Sequence, residues 1–179
     1  MVTGHAKDSF EGIFQKAVRS RISKQSDDTC EIELLPPSAI NATTEEHAVI
    51  LTVSSIVFRL LLVFHFNEDE STREYFVNEG SEASLQEVLL EVFNLTCGAL
   101  NQELLQYFPD LGMSTPYVLS ARCLPHLLGL KPDLLSSYAI TINGQVRLAA
   151  TLCVCAHAPV DFIADLSAVE ESSGELELF

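Results

Sequence analysis

The chain has no tryptophan, only eight glycines, and ten basic residues against 25 acidic ones in 179 residues. The missing tryptophan decides little, but the other shortages exclude whole classes of function. At a net charge of −15 the surface repels phosphate backbones, so no nucleic-acid partner is expected. Five basic residues (Lys7, Lys16, Arg19, Arg21 and Lys24) stand beside two acids in residues 1–24, a local +3 that leaves −18 on the remainder. That segment is too weakly basic to offset the acidic remainder. There is no glycine-rich phosphate loop and no G-x-S-x-G nucleophile elbow. His5, His47, His65, His126 and His157 form no H-x-x-x-H, H-E-x-x-H or Cys/His zinc spacing, so no metal site is expected.

Secretion and membrane insertion leave no signature either. Residues 1–25 lack a signal-peptide apolar region. The two N-x-T patterns, at Asn41 and Asn94, are therefore read as coincidental. Cys30, Cys97, Cys123, Cys153 and Cys155 make an odd count without C-x-x-C, as expected of reduced, buried cysteines in a cytoplasmic protein. Cys153 and Cys155 alternate on an expected strand and should share its core face. The one long apolar run, Ala48 to Phe66, is broken by Arg59 and contains His65, which predicts two buried strands rather than a span.

What is present reads as a single domain over residues 1–160, followed by an acidic tail at 161–179. Phe10, Ile13, Phe14, Ala17 and Val18 sit at helical spacing, with Asp8 or Ser9 as the expected cap of a helix reaching Ile22. Residues 25–46 are turn-rich around Pro36-Pro37, and strands are expected at about 48–53 and 57–66. A short helix fits the charged segment 67–80, and a long one runs from Ser84 to Tyr107. After Pro116 comes a strand, then a loop over Leu124–Ser137, then a hairpin turning at Asn143-Gly144. This order predicts an α+β domain, an antiparallel sheet with its long helices mainly on one face.

The long helix carries the candidate site. Glu87, Glu91, Asn94, Gly98 and Asn101 fall on one arc of roughly 80°, opposite Leu85, Leu89, Phe93 and Leu100. A flat polar face with a glycine gap is where a partner can dock. Ser84-x-x-Glu87 is also a capping box, which gives Glu87 a structural reading of its own.

The spacing Glu87-x3-Glu91-x2-Asn94, with Pro116 twenty-two positions after Asn94, resembles the CheC/CheX/FliY chemotaxis phosphatases. The string from Glu91 to Asn101, followed by Ser114-Thr-Pro116-Tyr-Val-Leu-Ser120, looks most like the CheX branch, and the likeness spans about 57–154. In that family an Asp or Ser, a Glu and an Asn share one helix, and a proline opens the next strand.

The resemblance implies a phosphatase acting on the aspartyl phosphate of a response-regulator receiver domain. Asn94 would orient the attacking water and Glu91 would pair with the partner's active-site lysine, with Glu87, Gly98 and Asn101 at the contact. The Mg2+ would belong to the receiver, so the chain would need no cofactor of its own. The competing expectation is a non-catalytic CheX-like module that binds a receiver or a partner subunit. Homodimerisation through a sheet edge, at the apolar strands around Val57–Phe66 or Tyr138–Cys155, is compatible with both.

Overall fold

In the computed structural model, which describes residues 1–167, seven strands make one antiparallel sheet. Helix α1 (Gly4–Arg21) is followed by β1 (Cys30–Leu34), a 3-10 turn at Pro37–Asn41, and then β2 (His47–Ser54) and β3 (Phe58–Phe66). Next come α2 (Glu70–Phe76), α3 (Leu85–Leu105), β4 (Gly112–Met113) and β5 (Tyr117–Ser120). A 3-10 helix at Ala121–Leu130, β6 (Leu134–Ile142) and β7 (Val146–Ala156) complete the order. The strands lie β1-β6-β7-β3-β2, with β4 and β5 both pairing with β2 at the far edge.

One face of the sheet holds the main core. Phe10, Ile13, Phe14, Ala17 and Val18 of α1, and Leu85, Leu89, Phe93, Cys97, Leu100 and Leu104 of α3, pack onto Leu60, Leu62, Phe64 and Phe66 of β3 and their neighbours. Phe93 stacks flat on Phe64, ring centroids 4.2 Å apart. Lys16 and Glu103 bridge α1 and α3 at 2.9 Å. The opposite face is covered by the two 3-10 segments, through Ile40 and through Ala121, Leu124 and Leu127. The α+β architecture with its helices on one side is thus as the sequence predicts.

Several local expectations are corrected. Helix α1 begins five residues before Ser9, because the Thr3 hydroxyl accepts from the Ala6 N–H at 3.2 Å; Ser9 instead lies buried inside the helix. The turn-rich segment 25–46 contains β1, whose Cys-Glu-Ile-Glu-Leu alternation is fixed by pairing with β6. The loop expected over Leu124–Ser137 is mostly ordered structure. Leu124 and Leu127 bury one side of the 3-10 helix, Lys131 stops it at φ 52°, and β6 starts at Leu134. At the hairpin, Asn143 and Gly144 have the positive φ (51° and 68°) that a type I′ turn requires. Ile142 nevertheless pairs with Val146, so Gln145 is an extra residue beyond the turn.

The sheet edges are not where the apolar strands suggested. β3 lies between β2 and β7, and β6 between β1 and β7, so apart from Phe66 and residues 146–148 of β7 the strand residues of the segments 57–66 and 138–155 are paired on both sides, and neither segment is an edge strand open to a second copy. The edges are β1 and the β4–β5 pair. The latter is interrupted: from Val53 to Ile50 the inner strand uses two residues, while Met113 to Tyr117 uses three, a bulge that contains Pro116.

The acidic tail also begins later than expected. Residues 161–167 strap across α1 and α3: Phe162 packs edge-on against Phe10 and Phe108 at centroid distances of 5.0 and 5.1 Å, and the Ala164 N–H bonds to Ser9 Oγ at 2.9 Å. Leu166 covers Gly12 so closely that its Cδ1 leaves no room for a Cβ there. The rest of the tail, 168–179, lies outside the described residues.

Candidate functional site

Helix α3 positions the candidate residues because its two sides are so unlike. Its apolar side is locked into the core, which fixes the rotation of the opposite side to within a side chain's play. Its start is set by the capping box: the Glu87 N–H donates to Ser84 Oγ at 3.2 Å, and Glu87 Oε2 accepts the Ser84 N–H at 2.8 Å. Those bonds from the Ser84 backbone and then its hydroxyl hold the Glu87 carboxyl below the usual carboxylate range. Glu87 is therefore engaged in holding the helix, and its carboxylate is not free in the way that Glu91 is.

Glu91 is exposed and Asn94 half-buried on the open side, and neither side chain has a hydrogen-bond or ion-pair partner among the described residues. Both carry full hydrogen-bonding capacity toward solvent or a docked surface. One turn on, Gly98 is half-exposed, and a Cβ added there would meet nothing within 4 Å. No packing among the described residues asks for a glycine, while an interior glycine costs the helix about 1 kcal/mol relative to Ala. Asn101 turns partly inward: it is half-buried, and its Oδ1 is enclosed without a partner. It sits at the margin of the face rather than on it.

One member of this face was not expected. Leu95 is 50% exposed, beside Asn94 and one turn from both Glu91 and Gly98. By residue type it reads as one more apolar helix residue, although the helical wheel sets it beside the polar arc and away from the buried Leu89 and Leu100. Cys97 lies buried under the same helix, and burial pushes its thiol up to about 12, so it offers no nucleophile. Pro116 does open β5, as the resemblance implied, and sits in the edge bulge. Among the described residues no group of three or more His, Cys, Asp or Glu side chains is placed to hold a metal ion. No helix among them is long and apolar enough to cross a membrane.

This arrangement, helices layered over one face of an antiparallel sheet with a polar helix face outward, is an α+β fold shared with solved chemotaxis proteins. Within that class the chain has the CheX-type fold. It superposes on chemotaxis protein CheX from Vibrio vulnificus with a TM-score of 0.57 at 10% identity, covering 81% of this chain and 98% of that one. The CheX of a CheX–CheY–BeF3–Mg2+ complex from Borrelia burgdorferi matches at TM-score 0.55 and 9% identity, covering 83% and 96%. The FliM middle domain from Vibrio alginolyticus matches at 0.53 and 8%, covering 81% and 90%. No family model and no curated protein matches the sequence significantly. At these identities the likeness is one of fold.

Proposed function

We propose that the chain is a CheX-like phosphatase that hydrolyses the aspartyl phosphate of a response-regulator receiver domain. The observation that carries this reading is the pair Glu91 and Asn94, without partners among the described residues on the open face of α3, on a fold shared with the CheX of a CheX–CheY complex. Hydrolysis of an acyl phosphate needs a water held in line with the phosphorus, and little covalent chemistry from the protein. A neutral amide suits that task, because Asn94 can accept from and donate to the water without adding charge. The contribution to rate is then positioning.

Glu91 supplies the opposite half of the recognition. A receiver's phosphorylation pocket is acid-rich and carries one lysine; a single carboxylate aimed at that lysine anchors the helix against an otherwise repulsive background. Gly98 lets the partner's backbone approach, with Glu87 and Asn101 at the rim. The Mg2+ and the phosphorylated aspartate reside in the partner, so the chain requires no cofactor of its own. A cytoplasmic location follows from the partner.

A second reading is favoured by Glu87. Where the family carries Asp or Ser, this chain places a carboxylate tied into the helix cap, and a domain that docks a receiver without turnover would keep the same face. One assay separates the two. Receiver domains of the host are phosphorylated with acetyl phosphate and Mg2+, and loss of phosphate is followed with wild type, Asn94→Ala and Glu91→Ala. The phosphatase reading expects acceleration by wild type, about 100-fold less with Asn94→Ala, and weakened docking with Glu91→Ala. Equal acceleration by wild type and Asn94→Ala would place the chemistry elsewhere. Binding without acceleration for every receiver would leave the docking module.

A further inference from the structure

The strap follows the seam between α1 and α3, and its course has a direction. The Val160 N–H bonds to the Met1 carbonyl at 3.1 Å, the Phe162 carbonyl accepts from Ser9 Oγ at 3.2 Å, and Leu166 covers Gly12. At the end of α3, Phe162 meets Tyr107 and Phe108, and the Asp165 N–H donates to the Tyr107 hydroxyl at 2.9 Å. Bonds from Ser167, and more weakly the Lys16 ammonium, hold the Asp165 carboxyl below its ordinary value. The two helices run antiparallel, since Phe162 joins Phe10 to Phe108 while Lys16 bridges Glu103. The strap therefore climbs α1 toward Arg21 as it descends α3 toward Glu91.

Beyond Ser167 the described residues leave the seam open. Val92, Leu95 and Ala99 lie on the side of α3 that carries Glu103, within about 80° of it on the helical wheel. Val92 and Ala99 are half-buried against the core, and Leu95 is half-exposed. Across the seam α1 presents Arg19 and Ser20, both exposed, and ends at the exposed Arg21. Neither arginine has a carboxylate within ion-pair distance among the described residues.

Residues 168–179 match what this seam presents. They read Ala-Val-Glu-Glu-Ser-Ser-Gly-Glu-Leu-Glu-Leu-Phe, with four glutamates and no basic residue. Such a segment is repelled by the acidic bulk of the chain and attracted by the basic segment 1–24. Leu95 lies about 12 Å along α3 from Glu103, and the stretch from Ser167 to Leu176 can reach about 30 Å. The strap delivers it to the seam, where tethering sustains an effective concentration of the order of millimolar.

We propose that residues 168–179 dock in cis along the α1–α3 seam, with Leu176, Leu178 and Phe179 against Val92, Leu95 and Ala99 and their glutamates toward Arg19 and Arg21. Leu95 borders the polar arc one turn from Glu91 and Gly98, so a tail seated on it and a docked receiver exclude each other. The tail thus restrains the site. That restraint rests on the reading of α3 as a receiver-docking face; the contact in the seam does not.

One experiment reads the two parts separately. The full chain and its variant Leu176→Ser/Leu178→Ser/Phe179→Ser are labelled at the Leu, Val and Ala methyl groups and compared at low micromolar concentration. The resonances of Val92, Leu95 and Ala99 should differ between them, those of the buried Leu62 and Leu152 should not, and Arg19→Glu should move the seam resonances toward those of the tail variant. Identical seam resonances would overturn the proposal. So would differences that grow with protein concentration, which would seat the tail on a second copy. In a receiver titration the tail variant should bind about tenfold more tightly, as release of a tail that is closed about 90% of the time implies. Equal receiver affinities beside shifted seam resonances would overturn the restraint. Failure of both forms to bind any receiver would instead refute the docking reading of α3, with the seam contact still decided by the resonances.

Discussion

Stability between pH 7 and pH 5 should be governed by His65. In the unfolded chain an imidazole titrates near its ordinary value of about 6.5, whereas in the folded protein burial holds it at about 4. Protons therefore bind preferentially to the unfolded state throughout that interval, and folding stability falls as pH falls from about 6.5 toward 4. The full loss is about 3 kcal/mol, and about 2 kcal/mol of it accrues between pH 7 and pH 5. The exposed carboxylates held low by hydrogen bonds, Asp28, Asp69 and Asp110 among them, lose their contribution only at lower pH, so the interval isolates the histidine. Relief of acidic self-repulsion on a chain of net charge −15 works in the other direction and affects any variant equally. Urea unfolding of wild type and His65→Leu at pH 7, 6 and 5 separates the two effects. With a slope of about 2 kcal/mol per molar, the wild-type midpoint should drop by about 1 M more than that of the variant. Midpoints that fall in parallel for the two proteins would refute the assignment.

Two further outcomes test other parts of the molecule. Gly98→Ala should stabilise the protein by about 1 kcal/mol, since the added methyl meets nothing among the described residues and the helix gains propensity, yet weaken binding to a receiver; thermal unfolding and a binding titration on the same preparation would test both signs. Phe162→Ala should cost about 2 kcal/mol by opening the aromatic cluster with Phe10, Tyr107 and Phe108, while an unchanged unfolding midpoint would mean that the strap contributes no stability.

The features legible in the sequence were those written in a few consecutive residues. Ser84-x-x-Glu87 started α3 where its capping box places it, Asn143-Gly144 turned the hairpin, and the period of Glu91 and Asn94 put them on one open face. What escaped was decided by distant parts of the chain. β1 is a strand because β6 offers it a partner, against a local run of turn-forming residues. Residues 161–167 are ordered because Phe162 meets aromatic rings from α1 and the end of α3, which no window around position 162 contains. Asn101 shows the same limit within the site. A helical wheel gives direction but not depth, so an asparagine turned inward looks like its neighbours on the polar arc until packing separates it.

The strap has a consequence for how the protein is made. Val2 bridges Val160, and Phe10 waits for Phe162, so α1 leaves the ribosome roughly 150 residues before part of its covering exists. At about 5–20 residues per second that delay is on the order of 10 seconds. During it the aromatic side of α1 must be shielded by α3 and the growing sheet, or by a chaperone. The pairing of Val2 with Val160 and the packing of Phe162 therefore act as a late latch on α1, closed only after the rest of the sheet has been made.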